Sequence, residues 1–357
     1  MYRHLLLATV LVHFAAPLFA GDSVSVHWQG KTATSAALPE GFPDAARTAL
    51  TTWEPFLKRA DYRADVEASG RVLLCTYEKG SHADEQMRQL AKVGAWFDAR
   101  FPPLLAPDAP KCEPVCATLF VLRNQEDYAL LLAHVAEAAP ALASWTPEAR
   151  KETGFSLVDP LCGAYLESAM DLEEWSPVHE LVDRAAQLLF MQRHGEQPYW
   201  LQQGVAWAAE WAFDGNIYCF PFRHEFVFAA EHGAWPGDLK NQFKSRAKKP
   251  LQMSEFALMR RGSWDAERAK LAFGCASFLV LQPADKVARA LLDLRDFRTE
   301  NNRQDQDDGT WVTDPLYEVP AEKQLEILEK QLGPKLMERI SAFVAKGGDS
   351  FKALGRP

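Results

Sequence analysis

Hydrophobic and polar positions alternate near the start of the chain, and helical spacing takes over further along. The alternation over 22–30, the β-rich run 71–77 and the apolar run 117–122 predict strands, as do the short runs 155–158 and 163–166. Apolar residues recur at helical spacing in the remaining segments, which predicts helices over 43–59, 82–100, from about 125, and over 177–194, 199–213, 222–232, 265–282, 284–295, 321–332 and 334–346. Strands followed by helices predict an α+β fold, with a small mixed sheet and a mainly helical C-terminal part.

A proline-rich segment, 101–115, is the clearest connection in the chain. It leads us to expect an N-terminal α/β region over 21–110, a core over 111–285 and a C-terminal helical region over 286–357. Within the last region the polar stretch 297–318 is expected to be irregular.

The first twenty residues have the pattern of a signal peptide. A charged start, a short apolar run and the small residue Ala20 precede polar sequence. We therefore predict an exported protein, periplasmic or extracellular, and leave open whether residues 1–20 are cleaved or retained. No later stretch is long enough to span a membrane, so no span is expected after cleavage.

The net charge restricts the class of binding partner, and the cysteine content bears on the redox state of the chain. The net charge of −9 offers no basic surface for nucleic acid. The six cysteines would meet oxidising conditions after export, so they either pair or are buried as thiols. Cys112 and Cys116 are close enough in sequence to close a small loop.

Candidate chemistry begins at His179-Glu180-x-x-Asp183, on the predicted helix 177–194. Residues four apart lie on one face of a helix, which places His179 and Asp183 together. The rest of this helix is apolar, and burying such groups is costly unless they are paired, hydrogen-bonded or bound to metal.

A second motif follows at a fixed interval, Pro198-Tyr-Trp-Leu-Gln-Gln-Gly-Val-Ala-Trp-Ala-Ala-Glu210. Together the two motifs resemble the gluzincin metallopeptidases, in which H-E-x-x-H is followed by P-x-W-L-x-E-G-x-A-x-x-x-E. The resemblance covers about residues 115–345 and implies a zincin-like core, a small mixed sheet with two active-site helices.

The resemblance also implies roles for individual residues. It assigns the metal to His179, Asp183 and Gln203, and the activation of water to Glu180. Glu210 would support a ligand or replace one. Phe273 stands where the family has a tyrosine that assists the oxyanion, and the edge strand along the substrate cleft would consist of Gly163, Ala164, Tyr165 and Leu166.

This chain departs from the family pattern at three of these positions. Asp183 replaces a histidine and reaches less far, Gln203 replaces a glutamate and is a poor zinc ligand, and Phe273 cannot donate a hydrogen bond. Zinc binding is therefore expected to be weak or absent, and we expect an impaired peptidase that binds peptides or proteins. In that interpretation Asp183 accepts a hydrogen bond from His179 or Gln203.

Two alternatives remain open from the sequence. The first is an active zinc peptidase with an unusual His/Asp/Gln site. The second is a carbohydrate-active protein built on an acidic cluster and a set of tryptophans, namely Asp171, Glu173 and Glu174 with Trp175, Trp200, Trp207 and Trp211.

Overall fold

The computed structural model describes most of the chain. The described residues are 23–77, 82–103, 115–167, 177–219, 233–245, 249–260, 265–306, 311–314 and 317–355. The predicted signal peptide, the predicted helix 222–232, the acidic cluster, Cys112 and Trp175 lie outside them.

Seven strands form one mixed sheet in the order β2-β1-β3-β4-β5-β7-β6. Pairing is parallel for β1–β3, β4–β5 and β5–β7, and antiparallel for β1–β2, β3–β4 and β6–β7. The fold is thus mixed α and β, which fits the predicted α+β class. The strands are β1 (Ser25–Trp28), β2 (Lys31–Thr34), β3 (Tyr62–Val66), β4 (Val72–Tyr77), β5 (Ala117–Leu122), β6 (Gly154–Val158) and β7 (Leu161–Leu166).

Twelve α-helices lie in the described parts of the chain. In sequence order they are α1 (Asp44–Ala60), α2 (Ala83–Arg100), α3 (Gln125–Ala138), α4 (Thr146–Ala149), α5 (Pro177–His194), α6 (Tyr199–Asp214), α7 (Trp235–Ser245), α8 (Ala266–Val280), α9 (Ala284–Asn301), α10 (Ala321–Leu332), α11 (Leu336–Ala345) and α12 (Gly348–Phe351). Short 3₁₀ turns cover Pro140–Leu142, Met253–Glu255 and Lys352–Leu354.

The expectation of an irregular segment over 297–318 was wrong in part. Helix α9 continues to Asn301, and two short strands, β8 (Arg303–Asp305) and β9 (Trp311–Thr313), pair antiparallel. Asn301, one of the polar residues of this stretch, lies at the exposed end of α9, where its Nδ2 donates to the Phe297 carbonyl at 2.8 Å.

The edge of the sheet differs from the prediction. The strand that contains Gly163, Ala164, Tyr165 and Leu166 is not an edge strand, because β7 lies between β5 and β6. Its side chains are almost all buried, as an interior strand requires, whereas β6 becomes progressively exposed toward Val158. The β6–β7 hairpin places β6 at the edge.

The sheet has a hydrophobic core on each face. Successive residues of a strand point to opposite faces, so Leu74 and Leu119 contribute to one core, and Leu73 and Phe120 to the other. Helices α1 and α3 cover the second face, and α2, α5, α6 and α8 pack over the first.

One sheet also joins the predicted N-terminal region to the predicted core. Strand β4, before the proline-rich segment, pairs with β5, after it, so that Cys75 lies opposite Phe120. The boundary at 110/111 therefore falls between neighbouring strands of a single sheet. No helix within the described ranges is long and apolar enough to cross a membrane.

Candidate functional site

Helices α5 and α6 carry the site, and both occupy the positions that the sequence predicts. Helix α5 begins at Pro177, and α6 follows Pro198 and ends at Gly215 in the left-handed conformation. Gly163 of β7 lets α5 approach the sheet, since a Cβ there would lie 3.3 Å from Leu188 Cδ1.

Asp183 lies at the centre of a buried amide network. Its Oδ2 accepts a hydrogen bond from Gln203 Nε2 at 2.9 Å, and its Oδ1 accepts from Gln187 Nε2 at 2.6 Å. Gln187 Nε2 also lies 3.3 Å from Gln203 Oε1, so both ends of the Gln203 amide are engaged. The predicted hydrogen bond from Gln203 to Asp183 is thus confirmed. Burial raises the pKa of Asp183 to about 7, although the nearby Arg184 lowers it.

His179 has different partners from Asp183. Its Nε2 lies 3.2 Å from Asp214 Oδ2 and its Nδ1 lies 3.5 Å from Glu210 Oε2. Its ring packs on Tyr218 with the centroids 4.2 Å apart. Burial lowers the pKa of His179, while Asp214 opposes that shift. Of the three predicted ligands, Asp183 and Gln203 are hydrogen-bonded to each other. The side chain of His179 instead contacts Glu210, Asp214 and Tyr218.

Glu180, the predicted base, is paired with an arginine one turn later. Arg184 Nη2 donates to Glu180 Oε2 at 2.9 Å, and Arg184 Nη1 lies 3.5 Å from Asp183 Oδ1. The guanidinium therefore places a positive charge between these two carboxyl groups.

Glu210 contacts His179, which agrees with a role in supporting that residue. Its Oε2 accepts from the backbone N–H groups of Tyr218 at 2.9 Å and Cys219 at 3.3 Å. Burial raises the pKa of Glu210 to about 8, whereas the hydrogen bonds from these two N–H groups lower it.

A cleft of about 400 Å³ opens beside this network, between the edge strand and the two helices. One wall is β6, and the facing wall is formed by α5 and α6. Residues that line it include Ser156, Leu157 and Val158 from β6, and Asp183, Arg184 and Gln203 from the helices. Gly163, Ala164, Tyr165 and Leu166 do not line it, because β7 lies behind β6.

Phe273 is not part of the cleft. It is fully buried in α8, stacks on Phe351 at 5.0 Å, and contacts the rings of Trp235 and Trp211 at 5.7 and 6.0 Å. The ring is packed into an aromatic core and does not line the cleft.

Two of the tryptophans that could have formed a platform for sugars, Trp200 and Trp207, are core residues. Trp200 Nε1 donates to Gln324 Oε1 at 2.8 Å, and Trp207 Nε1 donates to the Cys219 carbonyl at 2.6 Å. Both rings are fully buried.

The motifs did not identify several residues of the site. Arg184 and Gln187 lie one turn after Glu180 and Asp183, so helical spacing could have identified them. Nothing in the local sequence indicates that Cys219 lines the cleft, because its position depends on how the segment after α6 folds back.

The chain matches no protein-family model and no curated protein sequence.

Proposed function

We propose that this chain is an exported homologue of the gluzincin metallopeptidases that has lost efficient hydrolysis and binds extended peptide segments in the cleft. The observation that carries the proposal is that β6 is the edge strand of the sheet among the described residues and lies along one wall of the cleft, facing polar side chains of α5 and α6.

The backbone pattern of β6 suits the addition of a strand. The Leu166 N–H donates to the Thr153 carbonyl at 2.8 Å, which identifies that pair as hydrogen-bonded. Because such pairs alternate along an antiparallel ladder, Phe155 and Leu157 bond to β7. The N–H and carbonyl of Ser156 then point to the outer side, where an extended peptide can pair with them.

The facing wall supplies groups suited to a polypeptide. Gln202 presents a side-chain amide and Arg184 a guanidinium, both of which can hydrogen-bond to peptide carbonyls or polar side chains. A volume of about 400 Å³ is within the usual size of ligand sites, so the cleft holds a short segment of a longer chain.

The same contacts argue against the zinc chemistry of the family. Zinc binding by the family's ligand set would require the Gln203 amide oxygen, yet this oxygen already lies 3.3 Å from Gln187 Nε2 and the amide nitrogen donates to Asp183. Glu180 is bonded to Arg184 rather than poised beside a metal-bound water. The residues present therefore do not fit the family's zinc site.

The test uses a variant that removes one outward N–H from β6. Ser156→Pro deletes that donor without breaking the ladder to β7, and Ser156→Ala is the matched control that keeps it. With a fluorescent, reduced and alkylated unfolded protein as the probe, anisotropy should show affinity about 10-fold lower for Ser156→Pro, since a hydrogen bond and steric fit are lost. Ser156→Ala should bind within about 2-fold of wild type.

Two outcomes would contradict the proposal. Equal affinity for Ser156→Pro and Ser156→Ala, with both folded by circular dichroism, would reject pairing at this edge. Cleavage of the probe that disappears in Glu180→Gln would instead establish the active peptidase.

A further inference from the structure

Three potential metal ligands of different chemistry converge beside the cleft. A carboxylate oxygen of Asp183, a carboxylate oxygen of Glu210 and the Cys219 Sγ all lie within 4.8 Å of one another, and all three residues are buried. They come from α5, from the last turn of α6 and from the segment that follows α6.

Hydrogen bonds hold two of these groups in place. The Glu210 Oε2 accepts from the Cys219 N–H, which ties the carboxylate to the segment that carries the thiol. Trp207 Nε1 donates to the Cys219 carbonyl and fixes the same segment from the side of the helix. Such supporting bonds are what orient the ligands in metal sites.

An unused acceptor provides a second observation. Glu210 Oε1 has no hydrogen-bond partner among the described residues, although the side chain is 0 % exposed. A buried carboxylate oxygen without a partner is costly, and a cation would satisfy it. Asp183 and Cys219 both line the cleft, so a fourth coordination position faces its solvent.

The charge balance also favours a cation. Two carboxyl groups and a thiol share a buried space, with Arg184 as the nearby positive charge. Ionising these groups together in a buried space is unfavourable, and a divalent ion offsets that cost.

We propose that Asp183, Glu210 and Cys219 form a site for a thiophilic divalent cation of the zinc class, with water from the cleft as fourth ligand. A thiolate beside two carboxylates suits zinc and disfavours magnesium or calcium. In a tetrahedral zinc site with bonds of about 2.0–2.3 Å the ligand atoms lie roughly 3.3–3.8 Å apart, so small side-chain rotations close the site.

This ligand set differs from the one that the family resemblance implies. It shares Asp183 with that set and uses as a direct ligand Glu210, which the resemblance gives only as a support or substitute, and it needs neither His179 nor Gln203. It also goes beyond the proposed peptide binding, because the ion would join α5, α6 and the 215–219 segment whether or not a peptide is present.

Cobalt and zinc titrations of the purified full-length chain test the site. Wild type should bind one Co²⁺ per chain with a thiolate-to-cobalt charge-transfer absorption, and Zn²⁺ should displace it. Cys219→Ser should lose that absorption and bind zinc about 100-fold more weakly or worse, because a direct ligand is removed. Glu210→Gln should weaken zinc binding to a similar extent.

Matched controls separate this site from the alternatives. Cys116→Ser removes another buried thiol, at the start of β5, and should leave zinc affinity unchanged. His179→Ala should keep the stoichiometry of one. Zinc should raise the melting temperature of wild type and Cys116→Ser but not of Cys219→Ser or Glu210→Gln, which gives a readout independent of absorption.

Three results would overturn the proposal. One is a wild-type protein that takes up no zinc at micromolar concentration. Another is a folded Cys219→Ser that binds like wild type. The third is loss of binding in His179→Ala with binding retained in Cys219→Ser, which would place the ion at the family's ligands instead. Ser156→Pro should bind the metal normally, so failure of peptide binding and failure of this site are distinguishable.

Discussion

Two buried histidines have opposite surroundings. His179 lies between carboxylates of Glu210 and Asp214, while His194 packs against the rings of Phe101 and Phe190. Neither ring nitrogen of His194 has a hydrogen-bond partner in the described structure. His194 is therefore held neutral by an apolar site.

The surroundings of His194 make stability depend on acidity. Burial, together with Arg193 and Arg295, lowers its pKa from 6.5 to about 3. Below pH 6.5 the unfolded chain gains a proton at this residue and the folded chain does not, so the free energy of unfolding falls as pH drops toward 3. This residue contributes a slope of up to about 1.4 kcal/mol per pH unit in that window.

Urea denaturation at a series of pH values between about 4.5 and 7.5 measures this effect. We expect His194→Leu to be at least as stable as wild type near neutral pH and to lose less stability on acidification. His82→Leu, which removes an exposed histidine, is the control and should keep the wild-type slope. If the free energy of unfolding depended on pH in the same way in wild type and His194→Leu, a buried neutral His194 would not be the cause of the acid sensitivity.

At the scale of elements, a close crossing of α6 and α8 sets the geometry of the site helices. Gly204 makes that crossing fit, because a Cβ at this position would lie 2.7 Å from Ala276 Cβ and 2.8 Å from the Ala272 carbonyl oxygen. Neither contact is with a flexible side-chain end, so a larger residue would push the helices apart.

Gly204→Ala should therefore destabilise the protein by about 1–3 kcal/mol, as overpacking does. Gly237→Ala in α7 is the matched control, since a Cβ there meets no heavy atom within 4 Å. Alanine is the better helix former, so the control should be unchanged or up to about 1 kcal/mol more stable. Urea midpoints compare the two variants, and equal stabilities would reject the tight crossing.

Elements with strong local signals were predictable from the sequence. The bounds of α5 and α6 follow from Pro177 and Pro198 and from apolar spacing. Asp183 was expected to accept from His179 or Gln203, and the bond from Gln203 is present. The short strands β2 and β3 were missed, as was the edge position of β6. Strand order and the return of Cys219 to the cleft depend on contacts between distant segments, which local patterns do not encode.

At the scale of the whole molecule, the predicted regions share cores as well as a sheet. Leu271 of α8 belongs to the same hydrophobic core as Ile327 and Ile340 of the C-terminal helices. That core also includes Leu74 of β4. The predicted boundaries at 110/111 and 285/286 therefore cross continuous packing.

We expect the strands before and after the proline-rich segment to unfold together. Hydrogen exchange followed by mass spectrometry in increasing urea should show β4 and β5 losing protection at the same concentration, because each supplies backbone partners to the other. Gly348 and Asp349, which are exposed at the start of the short helix α12, serve as a reference for local fraying. Protection of β1–β4 lost well before that of β5–β7 would indicate separate units.

The buried cysteines link the oxidation of this protein to the rate at which its sheet opens. Cys75, Cys116 and Cys162 carry free thiols inside the fold, and burial raises the pKa of each, that of Cys116 to about 12. Thiolates are the reactive form, so these side chains become accessible to oxidants only when the sheet opens. A chain exported before folding would have to fold faster than its thiols are oxidised. In the folded protein, the rate at which a reagent labels these thiols would report how often the sheet opens.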